Sequence, residues 1–249
     1  MLRIVLSSLD LIGKFLYLFE FWIQTNWFIA FLMSLTINLS VYLVTAYAID
    51  FICKIISRDN KIAQYIDNRP FKKGQKSVEI KNGFIACIMF AFVSLFAREL
   101  FVGVIPLSIT DLLIEVLAFI LFYETYSYWV HRLLHTRPFR KAHSVHHYSV
   151  RTSVWSAYSV HPLEAVLIGM SAPIFMLMFP VHLIVIFAFH IFGVVFTLIL
   201  HSNIKFNSNN FFCQLINRYT QSHAAHHVIG NVNFGFVNAF WDRCFKTNH

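Results

Sequence analysis

Long apolar runs alternate along the chain with three short polar stretches, and the lengths of the runs set the architecture. Residues 26–49 carry no charged side chain and, as a helix rising about 1.5 Å per residue, are long enough to cross a hydrocarbon layer of about 30 Å. Residues 83–97 and 102–107 flank the Arg98–Glu99 pair, and 109–130 follow with Asp111, Glu115 and Glu124 among apolar neighbours. Residues 163–179 and 181–200 form a further pair, divided at Pro180. With 83–107 counted once, these five stretches predict membrane helices. Arg3, Asp10, Lys14 and Glu20 interrupt the first 25 residues, which fits an interfacial helix rather than a span and lacks the layout of a cleaved signal peptide. The expected fold is all-α: an integral membrane helical bundle of four to five spans in hairpins, with a cap formed by the polar segments.

Charge fixes the expected orientation. Seventeen of the 20 Lys and Arg lie in residues 54–81, 131–151 and 201–249, the three polar segments. Tight hairpin tips at Pro106 and Pro180 would return the chain to one side each time, and the positive-inside bias puts that side in the cytoplasm. The formal net charge of +8 therefore needs no nucleic acid, because anionic lipid headgroups account for it. Cys53, Cys87, Cys213 and Cys244 are scattered without a C-x-x-C and read as reduced packing residues. Gly-rich nucleotide loops, a G-x-S-x-G elbow and internal repeats are missing from the sequence. One integrated domain is expected, with membrane helices and a basic connection over 1–108 and a histidine-rich region over 109–249.

Histidine carries the chemistry. His131 and His135 read H-x-x-x-H; His143, His146 and His147 read H-x-x-H-H; His223, His226 and His227 repeat that spacing. On a helix, residues three and four apart share a face, so each box aims its imidazoles one way. Burying so many polar rings without partners would be costly, whereas neutral imidazoles suit iron, zinc, copper and nickel. With His161 and His201, ten candidate ligands exceed what one ion takes and indicate two. His182, His190 and His249 belong to no box and read as ordinary packing or surface residues.

An all-histidine set contrasts with the Glu-x-x-His motifs of soluble di-iron bundles. A redox-active metal held this way would activate dioxygen and abstract hydrogen from an unactivated C–H bond, which zinc does not do. Two other readings compete. A membrane zinc hydrolase would normally carry a general base within a box, as in H-E-x-x-H, and no box here has one. A metal transporter or sensor would place ligands on broken helices at mid-membrane, whereas these boxes follow the apolar segments.

The motifs also carry a resemblance. H-R-L-L-H at 131–135, R-P-F-R-K-A-H-S-V-H-H at 137–147, A-Y-S-V-H-P-L-E at 157–164, L-H-S-N at 200–203 and the stretch from His223 to Thr247 resemble the fatty acid hydroxylase/sterol desaturase superfamily. Its ending typically reads H-x-x-H-H, N-[YF]-G, W-D-R and F-G-T; Asn233–Gly235 and Trp241–Arg243 match, and Lys246 replaces the usual glycine. The likeness runs from about Asp111 to Thr247. It implies a membrane non-haem di-iron oxidoreductase acting on lipids with dioxygen. Electrons would come from a separate cytochrome-, ferredoxin- or reductase-type carrier. It also implies the ten histidines named above as ligands. Further expectations are Asp242 as acceptor for an imidazole N–H, or else a partner of Arg243 beside an interfacial Trp241; Glu124 and Tyr128 facing the metals; Glu164 at a helix N-terminus; and Glu115 either functional or paired with Arg98.

Overall fold

A computed structural model describes the backbone of residues 2–249 and side chains from residue 13 onward; Arg3 and Asp10 lie outside the described side chains. The chain is mostly helical. Helix α1 (Leu2–Gln24) is followed by α2 (Trp27–Ile56), α3 (Gln75–Ala97), α4 (Ile109–Leu134), the short α5 (Arg140–His143) and a 3₁₀ turn at Val154–Tyr158. Then come α6 (Pro162–Gly169), α7 (Ser171–Met178), α8 (Leu183–Leu200), α9 (Phe211–Ile229) and α10 (Phe240–Cys244). Local chemistry sets the starts: Asn26, Ser108 and Asn210 each accept a backbone N–H three residues on, opening α2, α4 and α9.

Of the five stretches expected to span, three are helices long and apolar enough to cross a membrane: α2, α3 and α8. Helix α4 has the length, but Asp111, Glu115 and Glu124 leave it less apolar. Residues 163–179 are two eight-residue helices, α6 and α7, breaking at Met170. The break has a local cause: Pro173 lacks an N–H and its ring would collide with the Gly169 carbonyl in a continuous helix. Residues 98–107 leave helical geometry and pair with the chain after Pro180, with Val102 N–H donating to Val181, Leu183 to Gly103 and Ile184 to Val104. The two hairpin tips thus meet at one end of the bundle.

Helix α1 packs at that same end, with Phe19 and Trp22 against Ala30, Leu95 and Leu183. The Arg98 guanidinium donates to the Ile23 and Thr25 carbonyls, satisfying the end of α1. It is therefore not paired with Glu115, whose carboxylate sits 2.7 Å from His182 Nδ1. Helices α2 and α3 approach closely at Gly83, where an added Cβ would lie 2.5 Å from the Tyr42 hydroxyl. Tyr42 is fully buried there and stacks on Tyr158 at 4.7 Å.

At the opposite end, a two-stranded antiparallel sheet not expected from the sequence joins β1 (Ala63–Tyr65) to β2 (Ile204–Phe206). Asn203, in left-handed geometry at φ 59°, exchanges hydrogen bonds with the backbone of Asp67. Lys72 donates to the Tyr148 carbonyl at 2.6 Å, and buried Glu79 accepts from Gln75, Ser149 and Ser153. The basic connection is thereby fastened to the segment just after His147. The described cysteines are all free.

Candidate metal centre

The three histidine boxes converge at the end of the bundle away from the tips. His131 lies in the last turn of α4, with His135 as its C-cap. His143 closes α5, with His146 and His147 in the turn after it; His201 caps α8, and His223, His226 and His227 line one stretch of α9. Nine of the ten predicted ligands fall into two groups. His131, His135, His143, His147 and His226 form one, and His146, His201, His223 and His227 form the other, with the ring nitrogens of each group all within 4.8 Å of one another.

His161 stands apart from both groups. It is the N-cap of α6, and its Nδ1 accepts the Leu163 N–H at 3.1 Å, with Pro162 at the first helical position. The local sequence asked for a cap there, and the ring serves as one.

Hydrogen bonds to Nδ1 decide what the other nitrogens offer. His131 donates from Nδ1 to the Phe234 carbonyl at 2.9 Å, His226 to Val232 at 2.6 Å, His201 to Thr197 at 2.8 Å and His146 to Ser159 at 3.4 Å. A carbonyl only accepts, so in each neutral ring the hydrogen sits on Nδ1 and the Nε2 lone pair points inward. Yet Nε2 of His201 lies 3.3 Å from Nε2 of His146, and Nε2 of His147 lies 3.1 Å from Nε2 of His226. The first of these is lone pair facing lone pair, with no proton to share. Two nitrogens bound to one ion at about 2.1 Å are separated by about 3 Å, so the contacts have the spacing of cation ligands. The donor set fits a metal.

Burial supports the neutral forms. Desolvation, and after it the His131 charge, lowers His147 to about 4. Burial followed by neighbouring histidines pushes His143, His146, His223, His226 and His227 down as well. Neutral imidazole is the form that ligates.

Around the rings stands a supporting set that sequence reading placed only in part. Glu164, in the first turn of α6, brings Oε1 to 3.0 Å from His143 Nδ1. Glu124 and Tyr128 do not join the histidine clusters. Glu124 accepts from the Val237 and Asn238 N–H groups at 3.1 Å each, and Tyr128 packs among Trp129, Trp241 and Phe245. Asp242 accepts from Phe234 and Gly235 N–H and from the Thr247 hydroxyl, rather than from an imidazole. It acts one step removed, since the loop it holds carries the Phe234 carbonyl that orients His131. Trp241 donates to Thr125 at 3.2 Å and stacks on Tyr128, locking the C-terminal segment to α4.

A cavity of about 870 Å³ runs from the histidines into the bundle. His131, His143, His146, His201 and His223 line one end; Phe19, Trp22 and Phe101 line the other. Its walls are mostly aliphatic and aromatic, and at Leu18, Leu32 and Phe192 they include side chains exposed on the bundle surface. Such a space suits an apolar molecule entering from the bilayer.

Residues 116–247 match the fatty acid hydroxylase family. The chain belongs to that family. It is 26% identical over 212 residues to human lathosterol oxidase, covering 80% of this chain and 70% of that protein. It is 31% identical over 137 residues to the Delta(7)-sterol 5(6)-desaturase of Saccharomyces cerevisiae, covering 55% and 36% respectively. To methylsterol monooxygenase 1 of Danio rerio it is 30% identical over 126 residues, covering 50% and 43%. No solved structure matches the chain significantly. These relatives are oxidoreductases, and this family member combines candidate membrane spans with a convergent histidine centre.

Proposed function

We propose that the protein is a lipid hydroxylase or desaturase in which two iron ions are held by the nine clustered histidines, with His161 supporting α6. The observation that carries this reading is the pair of inward Nε2 lone pairs on His146 and His201, at the end of an apolar cavity. Iron so bound supplies redox chemistry with dioxygen. Hydroxylation consumes one dioxygen, two electrons and two protons, converting C–H to C–OH and releasing one water. Desaturation with the same inputs removes two hydrogens and releases two waters.

The chain's own residues bind and shield. The cavity walls keep water from the reacting carbon, Glu164 and the backbone carbonyls fix the imidazole orientations, and the neutral rings leave the ions' positive charge at the site. The names of the relatives point to a sterol-class lipid. The two electrons come from a separate carrier protein docking at the histidine end; the basic segments there support a cytoplasmic location for it.

The test is lipid profiling of cells with the gene, without it, and with His226→Ala, together with metal analysis of the purified protein. An oxidised lipid that depends on dioxygen and on His226, with about two irons per chain, is the expected result. Activity that persists anaerobically with zinc alone would overturn the proposal.

A further inference from the structure

We infer that Asn38 and His190 hold the hydroxyl group of a neutral lipid substrate, partway along the cavity from the histidine centre; the word substrate rests on the oxidase reading above. Both side chains line the cavity, and each has a buried polar atom with no partner: Oδ1 of Asn38 and Nε2 of His190. The Asn38 orientation is fixed, because its Nδ2 donates to the Ser34 carbonyl at 2.8 Å and leaves Oδ1 as the free acceptor. Buried polar atoms are normally satisfied; His143 Nδ1 and Glu164 Oε2 line the same cavity beside the histidine centre, and the two orphans away from that centre point to a ligand that completes them.

The helices bring the two to a similar level. Tyr42 on α2 and Val194 on α8 share one packed cluster, and Asn38 and His190 each lie four residues earlier on those helices. Along α8, His190 and His201 are separated by three helical turns to within about 20°, so they share a face, about 16 Å apart. Gly193 and Thr197, between them, also line the cavity, and an added Cβ on Gly193 would meet nothing within 4 Å. The passage between the two polar sites is therefore open.

The chemistry of the lining selects the ligand. A hydroxyl can donate to Asn38 Oδ1 while accepting from, or donating to, His190 Nε2. A carboxylate or phosphate would face the Asn38 oxygen without a counter-charge, since the described lining contains no Lys or Arg. Neutral alcohols fit; free fatty acids and nucleotide-linked acyl chains do not. With the hydroxyl held beside His190, whose backbone lies about 16 Å along α8 from that of His201, the carbon presented to the histidines is one remote from the hydroxyl.

Two probes with one skeleton test this: 5α-cholestan-3β-ol and 5α-cholestane, binding to the purified full chain in detergent. The wild type should bind the alcohol about tenfold more tightly than the hydrocarbon. Asn38→Leu and His190→Leu should lose that preference while binding the hydrocarbon as before, which also shows that they fold; His190→Gln should keep it. In turnover the leucine variants should raise KM more than they lower kcat, and the product should carry its new group remote from the hydroxyl. No preference in the wild type, or a preference retained in both leucine variants, overturns the inference. Product oxidised beside the hydroxyl does so too. Selective binding of the alcohol without any oxidised product would sink the oxidase reading and leave the hydroxyl site standing.

Discussion

The Glu164 carboxylate lies 3.0 Å from Nδ1 of His143, with both side chains buried. A carboxylate behind an imidazole fixes the ring and makes its other nitrogen a better ligand. Glu164→Ala should therefore lower iron content and turnover by about 10–100-fold while leaving membrane insertion intact, and Glu164→Gln should recover part of the loss. Metal analysis and turnover on the three proteins decide it. Unchanged iron content in Glu164→Ala would show that the carboxylate serves only the start of α6.

His161 and the clustered histidines should separate sharply under mutation. His143→Ala, His146→Ala, His223→Ala and His226→Ala should each abolish product formation in a protein that still inserts. His161→Ala removes a helix cap and should cost about 1 kcal/mol of stability with iron retained. His182→Ala and His249→Ala, at residues outside the clusters, should stay active. Near wild-type turnover in two of the first four variants would remove the ligand assignment. Loss of iron in His161→Ala would return that residue to the ligand set.

Acid should destabilise the metal-free protein through its buried histidines. His147 is held neutral by burial down to about 4, against an ordinary value of 6.5. The other rings of the second and third boxes are shifted in the same direction. Between those values the unfolded chain binds protons that the folded chain refuses, so stability rises with pH. The contribution is complete above about 6.5 and is lost as pH falls toward 4. Thermal unfolding of the iron-free protein across pH 4.5–7.5 should show a midpoint that drops steadily below about 6.5. A flat profile, or a rise on acidification, would contradict the neutral-ring picture.

The centre was more legible in the sequence than its supports. Spacing of three and four residues put histidines on common faces, and any such box must converge on something or bury rings without partners. His161 carried the same letter but stood before a proline, where a helix start competes for its nitrogen. Glu124 and Tyr128 lie seven and three residues before His131, and that register puts them on its side of α4. Register alone does not tell that the 231–239 loop folds over them. Membrane crossing was readable from uninterrupted apolar length in α2 and α8. It failed for 163–179, where total hydropathy hides a break enforced by Pro173. The sheet between 63–65 and 204–206 pairs two three-residue strands far apart in sequence, too short for any period to register.

Where the family usually has glycine, Lys246 adopts φ 55°, in the left-handed region. The turn it makes lets Thr247 donate from its hydroxyl to Asp242 at 2.7 Å and accept the Asn233 N–H on its carbonyl at 2.7 Å, closing the chain onto the loop that orients His131. A residue with a Cβ loses about 1–2 kcal/mol in that geometry, while glycine gives back about 0.5–1 kcal/mol through the freedom of its unfolded chain. Lys246→Gly should therefore stabilise the protein by about 0.5–1 kcal/mol and raise its melting midpoint by roughly 1–3 °C. Lys246→Ala removes the charge but keeps the Cβ and should change little. Lys246→Val, β-branched, should destabilise and loosen the third box. Thermal melts of the four proteins check the order Gly above Lys and Ala, with Val lowest. Should Ala stabilise as much as Gly, the lysine charge and not its backbone geometry would be the cause.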